Sequence, residues 1–326
     1  MNEVVVFAPS PVLTVTVEDH RDHADIHLHA GGQGVWQARM LLALGATVTM
    51  CSVFSGETGQ VLRHLIDDEG IHVLAVHREG RGAAYVHDRR GGERIRIAET
   101  GGEPLSRHDL DKLYGLTLRA GLGAGTIILS GPASEDVVPA DVYRRLAADL
   151  RTAGRRVIAD LAGDRLTAAL RGGVTVVKVS DQELLADGRV PDTSREHLIA
   201  AMHLLRAEGA GNVIISRAEQ PILLLADGVV SEVHMPTMQI TDASGAGDSL
   251  TAGVAATLAA GGTIEEAVAL GAAAGALNVT RHGLGTGEAE TVRALRDLVR
   301  IYPVEAAPAA ATRLSPDDLA KRIREQ

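Results

Sequence analysis

The feature that most limits how this chain can fold is a repeated switch of hydrophobic period. Short β-branched runs read as strands: Val4–Phe7, Thr47–Val53, His72–Val76, Thr126–Ser130, Val157–Asp160, Val174–Val179, Val213–Ser216 and Ile222–Leu225. Between many of them lie longer Ala/Leu-rich runs with helical spacing, Val35–Leu44, Thr58–Glu69, Ala140–Ala153, Arg195–Glu208, Gly247–Ala260 and Ile264–Thr280. A strand that is apolar at nearly every position has no face to give to water, so it must be covered on both sides. Such strands alternating with helices predict an α/β fold around a mostly parallel sheet. Hydrophobic residues make up 45% of the chain and aromatics only 2%, so the core must be built from Ala, Val, Leu and Ile.

Two early segments break the pattern. Leu13–His29 and Ala83–Glu99 alternate apolar and polar residues, with Val15/Val17, Ile26/Leu28 and Ile95/Ile97 at the period-two positions. Polar turns fall near Asp19–Ala24 and Asp88–Glu93. These strands are expected to form a small sheet projecting from the main domain. At the far end, Ala306–Thr312 reads as an Ala/Pro linker. Ser315-Pro316-Asp317-Asp318 then supplies a cap, a Pro at the first helical position and acids in the first turn, predicting a short helix to about Arg324. The expected organisation is a main domain over 1–304, followed by linker and helix over 305–326.

Charge and composition exclude several functions. A net charge of −10 and seven aromatic residues argue against a nucleic-acid binder, which needs cations for phosphates and rings for bases. No apolar run reaches the length of a membrane span, and the N-terminus lacks a signal-peptide pattern, so a cytoplasmic protein without a membrane partner is expected. The single Cys51 lies inside a strand-like run and reads as a small core residue. No Gly-Lys-Ser/Thr occurs, which excludes a Walker A loop. Gly121–Gly125 precedes a strand rather than following one, the wrong order for a dinucleotide fingerprint. His20, His23, His27 and His29 read as surface histidines of the small sheet rather than a metal site.

The chemistry concentrates in Thr241–Gly253, T-D-A-S-G-A-G-D-S-L-T-A-G, where an apolar strand-like run passes into an Ala-rich helix. Gly245, Ala246 and Gly247 sit where the helix begins. Glycine lets the backbone approach a ligand closely, and a helix N-terminus presents unpaired N–H groups and a positive dipole end to anions. Asp248 at the same place is a candidate base for a hydroxyl attacking a phosphate. An anion cradle beside a base is the minimum equipment for phosphoryl transfer.

This segment resembles the D-T-x-G-A-G-D signature of the ribokinase/phosphofructokinase B family of sugar kinases, with Ala243 in place of Thr. His29-Ala30-Gly31-Gly32-Gln33-Gly34 resembles the family's N-terminal G-G-K-G-x-N, with Gln33 for Lys and Trp36 for Asn. The run ending Ser10-Pro11-Val12-Leu13-Thr14 resembles the phosphofructokinase-like L-N-P-A-L-D, with Ser10 for Asn and Thr14 for Asp. Lys178-Val179-Ser180-Asp181-Gln182-Glu183-Leu184 resembles K-P-N-x-x-E-L. Ser216-Arg217-Ala218-Glu219-Gln220-Pro221 stands where relatives read S-x-G-x-x-G, without either glycine. Asn278 matches a position near the adenine. The resemblance covers about residues 3–300 and is closest in layout to the 1-phosphofructokinase/tagatose-6-phosphate kinase branch.

The resemblance implies a three-layer ribokinase-like α/β/α fold whose small sheet is a lid over the sugar and the contact of a homodimer. It implies ATP-dependent phosphorylation of a sugar or sugar phosphate. Asp248 would be the base and Gly245, Ala246 and Gly247 the anion hole. Lys178, Ser180, Glu183, Ser216 and Asn278 would meet the nucleotide, with Glu183 holding Mg²⁺ through water. Ser10, Thr14, Gly31, Gly32, Gln33 and Gly34 would line the sugar site. Where sugar-phosphate kinases of the family often read G-x-T-R, this chain has Gly80-Arg81-Gly82. Two cations are therefore missing, at Gln33 and Gly82, unless Arg39, Arg81, Arg90, Arg94 or Arg96 replaces them. A nucleoside or another small alcohol is an alternative acceptor, with Trp36 available to stack on a base. Eroded positions at Thr14, Gln33, Ser180 and Ala218 keep a non-catalytic metabolite sensor open as a third reading.

Overall fold

The computed structural model describes residues 2–304 except Glu93, Pro236, Thr237, Ile240, Asp242, His282 and Gly283. The chain opens with β1 (Glu3–Phe7), makes β2 (Val12–His20) and β3 (His23–Gly31), and returns through α1 (Gln33–Ala43) to β4 (Thr47–Ser55). Helix α2 (Gly56–Asp68) leads to β5 (His72–Arg78), β6 (Ala83–Asp88) and β7 (Ile95–Gly101). Regular alternation follows through α3 (Arg107–Gly123), β8 (Thr126–Ser130), α4 (Ala140–Thr152), β9 (Arg156–Asp160), α5 (Gly163–Gly172) and β10 (Val174–Ser180). Helices α6 (Asp181–Ala186) and α7 (Arg195–Glu208) precede the meander β11 (Ala210–Arg217), β12 (Gln220–Ala226) and β13 (Val229–His234). Then come α8 (Ala246–Ala259), α9 (Ile264–Asn278), α10 (Ala289–Arg296) and β14 (Arg300–Pro303).

The main sheet has the order β14-β13-β12-β11-β10-β9-β8-β1-β4-β5. It is parallel from β5 to β11 and antiparallel from β11 to β14. Successive residues of each strand feed opposite cores. Val4 and Val6 pack with α1, α2, α8, α9 and α10, whereas Val5 and Phe7 pack with α3, α4, α5 and α7. Cys51 belongs to the second core, and burial pushes its thiol up to about 11, as befits a packing residue.

The lid is a separate sheet of order β3-β2-β6-β7, as the alternating segments predict. Its β2–β3 and β6–β7 pairs are antiparallel, while β2 and β6 run parallel. The register sets Val15 opposite Leu28 and Val17 opposite Ile26, so those four share one face. The other face carries Thr14, Thr16, His27, His29, Tyr85 and His87.

All the strands and helices expected within residues 2–304 form. Helices α3, α5, α6 and α10 and strands β13 and β14 are additions. The α3 sequence hides behind Gly115, Gly121 and Gly123, and its start is fixed by Ser106, whose side chain accepts from Asp109 N. Strand β13 follows the turn Asp227-Gly228, both at positive φ, the left-handed pair that a tight hairpin requires. The expected linker and terminal helix over 305–326 lie outside the described residues.

Helices α8 and α9 meet at backbone distance. A Cβ on Gly253 would stand 2.5 Å from Gly271 Cα. Gly253→Val should therefore destabilise the protein by about 1–3 kcal/mol through overpacking. Gly115 is an exposed helical glycine with open space around it, and Gly115→Ala should stabilise by about 0.5–1 kcal/mol. Urea-unfolding midpoints of the two variants check both signs.

Candidate active site

Three neighbouring parallel strands end in a polar layer. Register sets Ser130 of β8 opposite Asp160 of β9, and Asp160 opposite Lys178 of β10. Each is two residues beyond an apolar residue of the first core, Ile128, Ile158 and Val176. Period-two alternation therefore aims all three side chains at the same face, beneath α1 and α8. This is the carboxyl edge of the parallel strands, where open α/β sheets bind their ligands.

The layer is closed by side chains from the two helices. Lys178 Nζ donates to Asp160 Oδ1 at 3.1 Å. Thr251 Oγ1 donates to Asp160 Oδ2 at 2.7 Å. Gln37 Nε2 donates to Asp160 Oδ2 at 3.0 Å and to Asp248 Oδ1 at 3.3 Å, and Ser130 Oγ donates to Gln37 Oε1. All six side chains are buried. Burial works against the Lys178 charge, but the carboxylates of Asp160, Glu183 and Asp248 outweigh it and hold the ammonium above its ordinary range. Burial, and then the neighbouring Asp160 carboxylate, push the Asp248 carboxyl up to about 8. Asp160 is also pushed up by burial, against the pull of Lys178 and Thr251. Its three donors, one of them an ammonium, favour the carboxylate form.

The predicted cradle forms at the start of α8. Gly245 is the N-cap at φ 74, a left-handed conformation that favours glycine. The first bond of the helix runs from Ser249 N to Gly245 O, so the N–H groups of Ala246, Gly247 and Asp248 have no helical partner. A Cβ on Gly247 would lie 2.5 Å from Lys178 Nζ. The ammonium and these N–H groups thus adjoin, a cationic cradle suited to phosphate oxygens.

The remaining expected nucleotide residues have structural partners. Glu183 Oε2 accepts from Ser180 N and Ser180 Oγ, both at 2.7 Å, completing the capping box that opens α6. Its charge still acts on Lys178, Asp160 and Asp248. Ser216 pairs with Ser180 in the β10–β11 register and is half-buried. Asn278 is fully buried rather than an exposed helix residue. It donates to Ser244 O at 2.6 Å and accepts from Gly285 N at 2.9 Å, joining the cradle loop to the loop after α9. Ala218, standing for a family glycine, keeps φ at +46, a left-handed turn at a cost of about 1–2 kcal/mol for a non-glycine residue. Asp242 lies outside the described residues. No group of three or more metal-ligating side chains occurs among the described residues, so a Mg²⁺ here would have few direct protein ligands.

Beneath the lid is a cavity of about 190 Å³ lined by Ser10, Gly32, Gln33, Gly34, Trp36 and Tyr85, among others. Gln33 and Ser10 accept from Gly131 N and Ala133 N, at 2.6 and 2.7 Å, and so hold the far wall. Thr14 and Gly31 do not line it. Thr14 is buried, with Oγ1 2.8 Å from where a Cβ on Gly31 would stand. The arginines offered as replacement cations are mostly spent. Arg39 is bidentate to Glu69, Arg81 meets Glu103, Arg90 is bidentate to Asp88 and Arg96 meets Glu99. Arg94 faces His87 Nε2 at 3.4 Å.

The profile of the pfkB family carbohydrate kinases matches residues 2–291. The chain belongs to that family. It is 29% identical over 260 residues to the ATP-dependent 6-phosphofructokinase isozyme 2 of Escherichia coli, covering 78% of this chain and 82% of that protein. It is 26% identical over 290 residues to the 1-phosphofructokinase of Bacillus subtilis, covering 87% and 94%. A possible 1-phosphofructokinase from Thermotoga maritima superposes with a TM-score of 0.80 at 18% identity, over 93% of this chain and 99% of that one. The fold is ribokinase-like and the protein is a carbohydrate kinase of the pfkB family, in line with its 1-phosphofructokinase-like layout.

Sequence reasoning did not single out Asp160, Ser130, Thr251 or Gln37 as parts of one cluster. The available signal was a lone carboxylate closing the otherwise apolar run Val157–Asp160. Removing one partner of a buried ion pair strands the other charge. Asp160→Ala should cost about 3–5 kcal/mol by that rule, and the double change Asp160→Leu with Lys178→Met should recover much of the loss. Guanidinium-unfolding midpoints of the wild type and both variants check this.

Proposed function

We propose that the protein transfers the terminal phosphoryl group of ATP to a hydroxyl of a sugar bound under the lid. The observation that carries the reading is the gathering of three groups at one edge of the sheet: the first N–H groups of α8, the Lys178 ammonium beside Gly247, and the Asp248 carboxyl on which that ammonium acts. Asp248 takes the proton of the attacking hydroxyl. The N–H groups of Gly245, Ala246 and Gly247, with Lys178, stabilise negative charge on the phosphoryl oxygens. Glu183, through its second oxygen and water, would hold Mg²⁺, which supplies further charge neutralisation when bound. Ser216 and Asn278 shape the nucleotide side. Ser10, Gly32, Gln33 and Gly34 shape the sugar side, with Thr14 and Gly31 supporting it from beneath. The name of the E. coli relative supports ATP as donor.

The kinase unit on this reading is residues 1–304, with lid strands inserted at about 13–29 and 83–99, and it acts in the cytoplasm. The acceptor is a sugar or a sugar phosphate: Arg39 is committed to Glu69, whereas the exposed pairs of Arg81, Arg90 and Arg96 are weak enough to be exchanged for a phosphate. A nucleoside or another small alcohol is the second reading, favoured by Trp36 in the cavity wall. A homodimer through the lid is supported by its exposed Ile26, Leu28 and Ile95. Leu28→Lys in that face should then lower the mass measured by light scattering from dimer to monomer, and a wild-type monomer would sink the proposal.

The testing experiment is Mg·ATP-dependent ADP release across fructose 1-phosphate, fructose 6-phosphate, free hexoses, ribose and nucleosides. Asp248→Asn should lower kcat at least ~10²-fold, the usual contribution of a general base. A base raised to about 8 is mostly protonated at pH 7 in the free enzyme. The logarithm of kcat/KM should therefore rise with pH towards about 8 and level off above it. Near-normal turnover by Asp248→Asn removes the role.

A further inference from the structure

Among the buried side chains not yet given a chemical role, Gln37 has the most constrained surroundings. It sits one turn into α1, with no exposure to solvent. An amide side chain carries two donors on nitrogen and one acceptor oxygen. Here Nε2 serves Asp160 Oδ2 at 3.0 Å and Asp248 Oδ1 at 3.3 Å, while Oε1 receives the Ser130 hydroxyl. The two carboxylates decide which end of the amide is which, because they accept hydrogen bonds and the Ser130 hydroxyl can donate or accept. Turned over, its carbonyl oxygen would face two carboxylates. The strand end bearing Ser130 is itself held, because Tyr143 Oη donates to Ser130 O at 3.0 Å.

The groups facing Asp248 come from four elements: Gln37 on α1, Asp160 on β9, Lys178 on β10 and Glu183 on α6. Lys178 Nζ donates to Asp160 Oδ1. Among the described residues, the one side-chain hydrogen bond to the Asp248 carboxyl is that from Gln37. It holds Oδ1, so the orientation of the carboxyl group is set from the α1 side.

We propose that Gln37 is a positioning residue for the base: by bridging Asp160 and Asp248 it orients the Asp248 carboxyl and favours its ionised form, and Ser130 anchors the amide through its oxygen. The proposal rests on the reading of Asp248 as base. A donor stabilises a carboxylate more than a neutral acid, so its loss makes the base harder to ionise. Gln37→Met keeps the length of the side chain and removes the donors. In that variant the acidic limb of the kcat/KM profile should move upward by roughly one pH unit. At pH 7 kcat/KM should fall about tenfold and recover above the shifted limb. KM for Mg·ATP should stay unchanged. Ser130→Ala, a smaller change that leaves the amide present but unanchored, should move the limb the same way by less. It carries the test if thermal melting shows Gln37→Met to be unfolded. An unmoved limb, or a loss equal at every pH, overturns the proposal. Asp248→Asn separates the two readings: retained turnover there removes the base itself, whereas an inactive Asp248→Asn beside an unmoved limb removes only the bridge.

Discussion

The buried ion pair between Asp160 and Lys178 is the interaction on which the site depends. A charge withdrawn from water costs several kcal/mol unless it is paired and hydrogen-bonded. Asp160 meets that condition with three donors, Lys178, Thr251 and Gln37. Those donors come from β10, α8 and α1, so one carboxylate draws the sheet edge and both covering helices to a common point. Lys178, held there, lies against Gly247 and gives the helix N-terminus a full positive charge beside its partial one. The N-terminus of α8 and the Asp248 carboxyl are thus gathered around the same pair.

Loops are fixed by the same principle. The segment at 131–133 has no ladder of its own, and Gln33 and Ser10 satisfy its amides. The cradle loop is joined through Asn278 to Gly285, and Arg39 donates to Leu284 O and Ala30 O while pairing with Glu69. Buried polar side chains do here what a β-ladder does elsewhere, because an unpaired buried amide costs about 1–3 kcal/mol. Substitutions away from the family pattern, such as Gln33 and Ser10, are therefore parts of this framework as well as lining of the cavity.

Much of the fold was legible because its signals are local. A switch between periods of two and 3.6 is carried by a few consecutive residues, and the strands and helices read from it all form. The lid segments were legible for the same reason, from Val15/Val17 and Ile26/Leu28. The misses were elements whose local signal is short or diluted: α3 with three glycines, α5, α6 and α10 with ten, six and eight residues, and the strands β13 and β14. In the candidate site the Gly-rich cradle and Asp248 were legible as a contiguous motif. Ser130, Asp160 and Thr251 were not, because each is an ordinary polar residue at the end of an apolar run or on a helix. Asn278 was visible, but its partnership with Ser244 and Gly285 was not.

The sequence by itself determined the strand–helix alternation, the two-faced apolar strands, the helix N-terminus at Gly245–Asp248 and the absence of cations at Gln33 and Gly82. Each follows from short-range period, backbone freedom or residue identity. Only the tertiary structure decided that Ser130, Asp160 and Lys178 stand side by side, that one amide spans two carboxylates, and that most of the candidate arginines are already paired. Those facts depend on strand order and register across separations of up to 211 residues, as between Gln37 and Asp248. Contacts at that distance are set by how the sheet is assembled, which no local run of residues encodes.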